Sequence, residues 1–186
     1  MLLSDRDIKQ AIENKEITIE NFDLKRLQPA SYDLLLGNKF MLPEPERDQF
    51  VDPHNKIFPH MRHFVVGDDD KFVLHPRITV LGTSWDFFGS DKYLIQLSGK
   101  SSLARIGLIV HNTAGIINPG HYLNITLELF NLSNVPIILR PRMEIAQITF
   151  SKLTSDPEQN YKNTGRYSSD NWKGGTAPKR EERSEG

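Results

Sequence analysis

Two short stretches of this chain hold residue types that could do chemistry together. Ser98-Gly99-Lys100-Ser101-Ser102-Leu103-Ala104-Arg105 supplies a flexible glycine, paired hydroxyls and two cations, the groups that hold a polyphosphate. Glu128 follows Arg105 by 23 residues and stands inside Ile125-Thr126-Leu127-Glu128-Leu129-Phe130-Asn131, one carboxylate in an apolar strand pattern. A carboxylate buried among such neighbours is costly unless it has a partner or a task. Together the two stretches suggest a phosphorylated substrate with acid–base chemistry beside it.

Each piece alone also has a plainer reading. Gly99-Lys100-Ser101 is not a P-loop, because that motif needs a glycine where Leu94 stands and a parallel strand–helix unit around it. A different cradle remains, built from backbone N–H groups at a Gly-initiated helix start, serine hydroxyls and Lys/Arg. A solvated turn fits the same eight residues. Alternation across residues 125–129 puts Ile125, Leu127 and Leu129 on one face and Thr126 with Glu128 on the other, which alone reads as a solvent face. His111-Asn112-Thr113-Ala114-Gly115 and Asn118-Pro119-Gly120 end a strand and make two turns. Their glycines allow either a hairpin corner or close approach to a ligand. The six histidines show no H-x-x-x-H spacing, so no protein-ligated metal is expected.

The elements that must position these residues are mostly short strands. Ser4 followed by Asp7 makes a capping pattern, and Ile8, Ala11 and Ile12 continue it, predicting a short helix over about residues 4–14. Apolar runs split by turn residues follow at 31–36, 72–74, 78–81, 93–97, 106–111, 124–131, 136–140 and 143–150. That spacing predicts a mainly β chain, an antiparallel sandwich or barrel. One or two helical turns are expected at Lys100–Arg105. Residues 42–71 read as a long loop or flap. The strand pattern stops near Thr154, so residues 1–153 are expected to form the barrel domain and 154–186 a flexible tail.

Composition narrows the partners. The 186 residues suffice for one domain with a sizeable core, and 25% of them are charged at a formal net charge of −1. Nucleic-acid-binding domains are usually strongly basic, so neither DNA nor RNA is the expected partner. The chain contains no cysteine, which excludes disulfides and the Cys-ligated zinc of the common base deaminases. No apolar run approaches the ~20 residues of a membrane span, and the amino terminus turns charged too early for a signal peptide; a cytoplasmic protein is expected, with no membrane partner.

The segments, in their order, resemble the dCTP deaminases of the trimeric dUTPase superfamily. Leu3-Ser4-Asp5-Arg6-Asp7-Ile8 is similar to the family's opening, and Leu27-Gln28-Pro29-Ala30-Ser31-Tyr32-Asp33-Leu34 with Leu36-Gly37 to its first strand motif. The likeness continues through Leu74-His75-Pro76, Leu81-Gly82-Thr83, Gly99 to Arg105, Thr113-Ala114-Gly115, Asn118-Pro119-Gly120, Thr126-Leu127-Glu128 with Asn131, Pro141 and Gln147. The resemblance implies a distorted antiparallel β-barrel of the dUTPase type, assembled as a homotrimer with active sites between subunits. It implies zinc-independent removal of ammonia from dCTP, with Mg2+ carried by the substrate triphosphate. By position, Glu128 is the base that activates water for attack at C4. Arg105 and Ser101 lie near the water and phosphates, and Arg105 keeps Glu128 charged. Lys100, Ser101 and Ser102 match the triphosphate run. Thr113, Ala114, Asn118, Thr126 and Leu127 match the base and sugar contacts, and Tyr161 and Arg166 match tail residues that close over the nucleotide.

This chain departs from the family pattern at several positions. Lys100 replaces an arginine and loses its bidentate fork. Asn118 replaces the aspartate of Ile-Asp-Pro-Gly, Ser98 replaces an acid, Arg142 replaces a glycine in a Pro-Gly-Met turn, and His121-Tyr122-Leu123-Asn124 replaces an aromatic-x-Gly run. Gly115 is similar to members that go on to dUMP and pyrophosphate, whereas Asn118 weakens the hydrolytic arm. The expected product is therefore dUTP, with dUMP formation as the alternative. A dUTPase without deaminase activity and a non-catalytic nucleotide-binding module are the remaining readings, and dTTP is the inhibitor that the family implies.

Overall fold

The computed structural model describes residues 1–165. Helix α1 (Asp5–Glu13) is followed by β1 (Thr18–Ile19), β2 (Leu27–Gln28), the long β3 (Ser31–Pro43), β4 (Met61–Val65), β5 (Phe72–Leu74), β6 (Thr79–Gly89) and β7 (Tyr93–Gly99). A single turn, α2 (Ser101–Ala104), precedes β8 (Leu108–Ile109), β9 (Ile116–Ile117), β10 (Leu123–Asn131), β11 (Ile137–Leu139), β12 (Glu144–Lys152) and the short α3 (Tyr161–Thr164). The capping pattern works as predicted. Ser4 Oγ accepts from the Asp7 N–H, and the Asp7 carboxylate accepts from the Ser4 N–H. Ile8 and Ala11 then point into the core.

The main sheet runs β8-β10-β6-β3-β12-β7-β9, with β1 on β6 and β2 and β4 on β3. Its pairings are antiparallel, and the sheet curls into a half-closed barrel. Strand β3 makes the curl possible. Its first half pairs with β12 and its second half with β4 and β6. Two glycines read from sequence as strand ends lie inside strands instead. A Cβ on Gly37 would sit 2.5 Å from Thr83 Cγ2, and one on Gly82 would sit 2.9 Å from a Leu129 methyl. These are places where backbones approach closely within the sheet, not turns. The expected flap also changes: β3 reaches Pro43, and β4 returns at Met61–Val65 to pair with it.

The core lies inside the curl. Tyr32, Leu34 and Leu36 of β3, Leu127 and Leu129 of β10, and Ile148 and Phe150 of β12 are fully buried there. Alternation along β10 buries Ile125, Leu127 and Leu129 and turns Thr126 and Glu128 to the other face, as the pattern predicts. Register with β6 sets Glu128 opposite Leu81 and Thr126 opposite Thr83. Between β6 and the segment before β2, Asp86 and Arg26 form a buried ion pair with Nη1 2.8 Å from Oδ1. No helix among the described residues is long and apolar enough to cross a membrane.

Candidate active site

Glu128 is half-buried, and its Oε2 accepts the Asn112 N–H at 2.8 Å. That bond ties the carboxylate to the turn after β8. The other side of the turn is pinned where the Gly115 carbonyl accepts the Leu97 N–H at 2.7 Å. Thr113 and Ala114 lie at its exposed crest, so the turn and the carboxylate form one ledge. Gly115 is required sterically. A Cβ there would lie 2.9 Å from the Leu97 carbonyl oxygen and 3.3 Å from the His111 ring. His111 Nδ1, beneath the turn, is buried and has no hydrogen-bond partner among the described residues. Thr126 is exposed on the same face of β10 as Glu128, whereas the Leu127 side chain is in the core, which leaves only its backbone to meet a ligand.

Ser101, Ser102 and Arg105 are exposed along α2. Within one chain Arg105 makes no ion pair with Glu128. Lys100 is committed instead: its ammonium lies 2.6 Å from Asp33 Oδ2 and 2.7 Å from Glu144 Oε2. Burial disfavours its charge, but the hydrogen bonds it donates to Asp33 and Glu144 outweigh that and hold its pKa above the ordinary lysine value.

A third cluster forms at the Asn118-Pro119-Gly120 turn. Asn118 is exposed, and its backbone carbonyl accepts the His121 N–H. Tyr161 stacks on His121 with ring centroids 4.3 Å apart, and its N–H donates to the Pro119 carbonyl. Asn160 donates to Asp91, which also accepts the Tyr122 hydroxyl. Arg166 lies outside the described residues. Gly120 has φ +89°, and a Cβ on it would meet Asn160 Oδ1 at 1.8 Å. Gly120→Ala is therefore expected to detach the 160–165 segment and cost about 1 kcal/mol or more. Trypsin should then cut faster after Lys162; an unchanged cleavage rate would show that this contact does not hold the segment.

The groups that sequence reading missed are Asp33, Glu144, Asn112 and His111. Asp33 carried a usable signal, a carboxylate inside an apolar strand run, the same signal that marked Glu128. The Asn112 contribution is a backbone N–H and leaves no trace in residue type.

The curled antiparallel sheet is thus a half-closed β-barrel that sets a strand carboxylate beside a glycine-bearing turn. The family profile described as dCTP deaminase-like matches residues 2–153. A curated relative from Nanoarchaeum equitans named "dCTP deaminase, dUMP-forming" is 39% identical over 180 residues, covering 89% of this chain and 90% of that one. One of the same name from Dictyoglomus turgidum is 40% identical over 183 residues, covering 96% and 94%. Among solved structures, the 2'-deoxycytidine 5'-triphosphate deaminase from Agrobacterium tumefaciens superposes with a TM-score of 0.60 at 22% identity, a likeness of fold. That match covers 80% of this chain and 46% of the longer one. The chain belongs to the dCTP deaminase family.

Proposed function

We propose that this chain is a bifunctional dCTP deaminase that converts dCTP and two waters to dUMP, ammonia and pyrophosphate. The observation that carries the reading is the ledge of Glu128 and the 112–115 turn, joined by the Asn112 N–H bond of 2.8 Å. A carboxylate held in place by a backbone donor can take a proton from water as the water attacks C4. The proton then passes toward the ring nitrogen and the leaving amine, and ammonia departs. Ser101, Ser102 and Arg105, exposed and with side chains unspent among the described residues, would meet the triphosphate, which brings Mg2+ with it. That Arg105 makes no ion pair with Glu128 within one chain fits a homotrimer in which one subunit supplies phosphate contacts and its neighbour supplies the carboxylate. In the trimer Arg105 would then hold the charge on a neighbouring Glu128. Thr113, Ala114, Thr126, Asn118 and the 160–165 segment would border the base and sugar.

The product assignment reverses the first expectation. Asn118 had weighed toward dUTP, but the curated relatives are named dUMP-forming, and Gly115 has no room for a side chain. An asparagine can still hold the sugar hydroxyl while the phosphate-attacking water is ordered by other groups. Purified protein incubated with dCTP and magnesium, with products resolved by anion exchange, is expected to yield dUMP and pyrophosphate in equal amounts. Accumulation of dUTP alone would return the assignment to a monofunctional deaminase. Unchanged dCTP would remove the deaminase reading, leaving dUTP hydrolysis or nucleotide binding without turnover.

A further inference from the structure

The geometry points to Lys100 as a positioning residue: its ammonium closes a clasp between β3 and β12 that fixes the Ser101–Arg105 turn, and it does not ligate phosphate. The inference rests on the proposed reading of that turn as the triphosphate site. Lys100 Nζ reaches Asp33 Oδ2 of β3 at 2.6 Å and Glu144 Oε2 of β12 at 2.7 Å. The Asp33 side chain is only 3% exposed, and its same oxygen accepts Gln28 Nε2 from β2 at 3.0 Å. Swinging the ammonium out to a phosphate would strand that carboxylate without its counter-charge in a buried place, the costly way to break such a pair. Two carboxylates around one ammonium also leave the cluster net negative, a poor greeting for a polyanion.

The backbone explains what the clasp holds. The Lys100 carbonyl accepts the N–H groups of Leu103 and Ala104, so α2 starts from this residue, and no side chain caps it. Gln147 on β12 adds a bond from Nε2 to the Gly99 carbonyl at 3.3 Å, and its Oε1 accepts the Ser31 hydroxyl. Side chains from β3 and β12 thus converge on residues 99–100 and set the direction in which Ser101, Ser102 and Arg105 project. The donors of one cationic side chain suffice to face two carboxylates on different strands.

The test uses Lys100→Met, Asp33→Asn, the double variant and Lys100→Arg in the full chain. Each is measured for kcat and KM with dCTP and for calorimetric binding of inorganic tripolyphosphate with magnesium. A misplaced turn is expected to lower kcat/KM about tenfold in both single variants, since small displacements of a positioning group are costly. Because both changes open one clasp, the double variant should fall within about twofold of the worse single one. Lys100→Arg should recover most of the loss, and tripolyphosphate binding should weaken alike in Lys100→Met and Asp33→Asn. The proposal is overturned if Asp33→Asn, by freeing the ammonium, tightens tripolyphosphate binding, or if the two losses multiply. Should the wild-type chain turn over no dCTP, the proposed activity falls, and the tripolyphosphate comparison still decides for or against the clasp. Should Lys100→Met not fold, Glu144→Gln at the half-exposed carboxylate gives the same contrast: weaker tripolyphosphate binding supports the clasp and tighter binding overturns it.

Discussion

Glu128→Gln is expected to lower dCTP turnover by about 10²–10⁴-fold, the range a positioned general base contributes, while nucleotide affinity stays within about threefold. Glutamine keeps the length and an oxygen for the Asn112 N–H, so the ledge after β8 should keep its shape. It cannot take a proton from water. The loss therefore falls on kcat, because the missing interaction belongs to the transition state rather than to the bound nucleotide. Steady-state kinetics with dCTP, beside calorimetric titration of the same variant, separate the two. Turnover within tenfold of wild type would remove Glu128 from the chemistry and send the search to His111, the other unspent polar group beneath the same turn. Weakened binding with unchanged kcat would make Glu128 a nucleotide ligand only.

Much of this site was legible because it depends on strand periodicity and on residue type. Alternation alone separated Glu128 from the core residues Leu127 and Leu129, and the helix cap at Ser4 was readable from four residues. Other features were hidden because they are properties of pairing between distant strands. Gly37 and Gly82 look like turn glycines, but what demands them is another strand's side chain across the sheet. Lys100 looks like a phosphate cation until Asp33 and Glu144, far away in sequence, are brought to it by the β3–β12–β7 arrangement. Arg142 shows the intermediate case. The resemblance has glycine at this turn, and the structure gives Arg142 a left-handed φ of +63°, where glycine is favoured. The arginine takes that conformation while stacking on Trp85 at 4.4 Å and pairing with Asp68 at 2.8 Å.

Removing one partner of the Arg26–Asp86 pair is expected to be the largest single loss of stability reachable outside the apolar core. Asp86 is fully buried, and Arg26 Nη1 contacts its two oxygens at 2.8 and 2.9 Å. The remaining bonds close the network: Arg26 Nη2 donates to the Asn21 carbonyl, and Asp86 Oδ2 also accepts the Leu35 N–H. Asp86→Ala would leave a guanidinium without its counter-charge and a β3 N–H without its acceptor. Breaking a buried pair in this way costs about 3–5 kcal/mol, and each kcal/mol lowers the melting temperature of a chain this size by about 2–4 °C. Replacing both partners, as in Asp86→Ala with Arg26→Met, removes the stranded charge and should recover much of the loss, so the two changes are expected to be far from additive. Thermal unfolding of the single and double variants measures this directly. Additive losses would mean that the pair contributes packing rather than charge compensation. The functional consequence follows from topology, because Asp86 lies on β6, the strand whose register with β10 sets the position of Glu128. A variant loosened there should lose deamination as β6 and the β10 paired with it open.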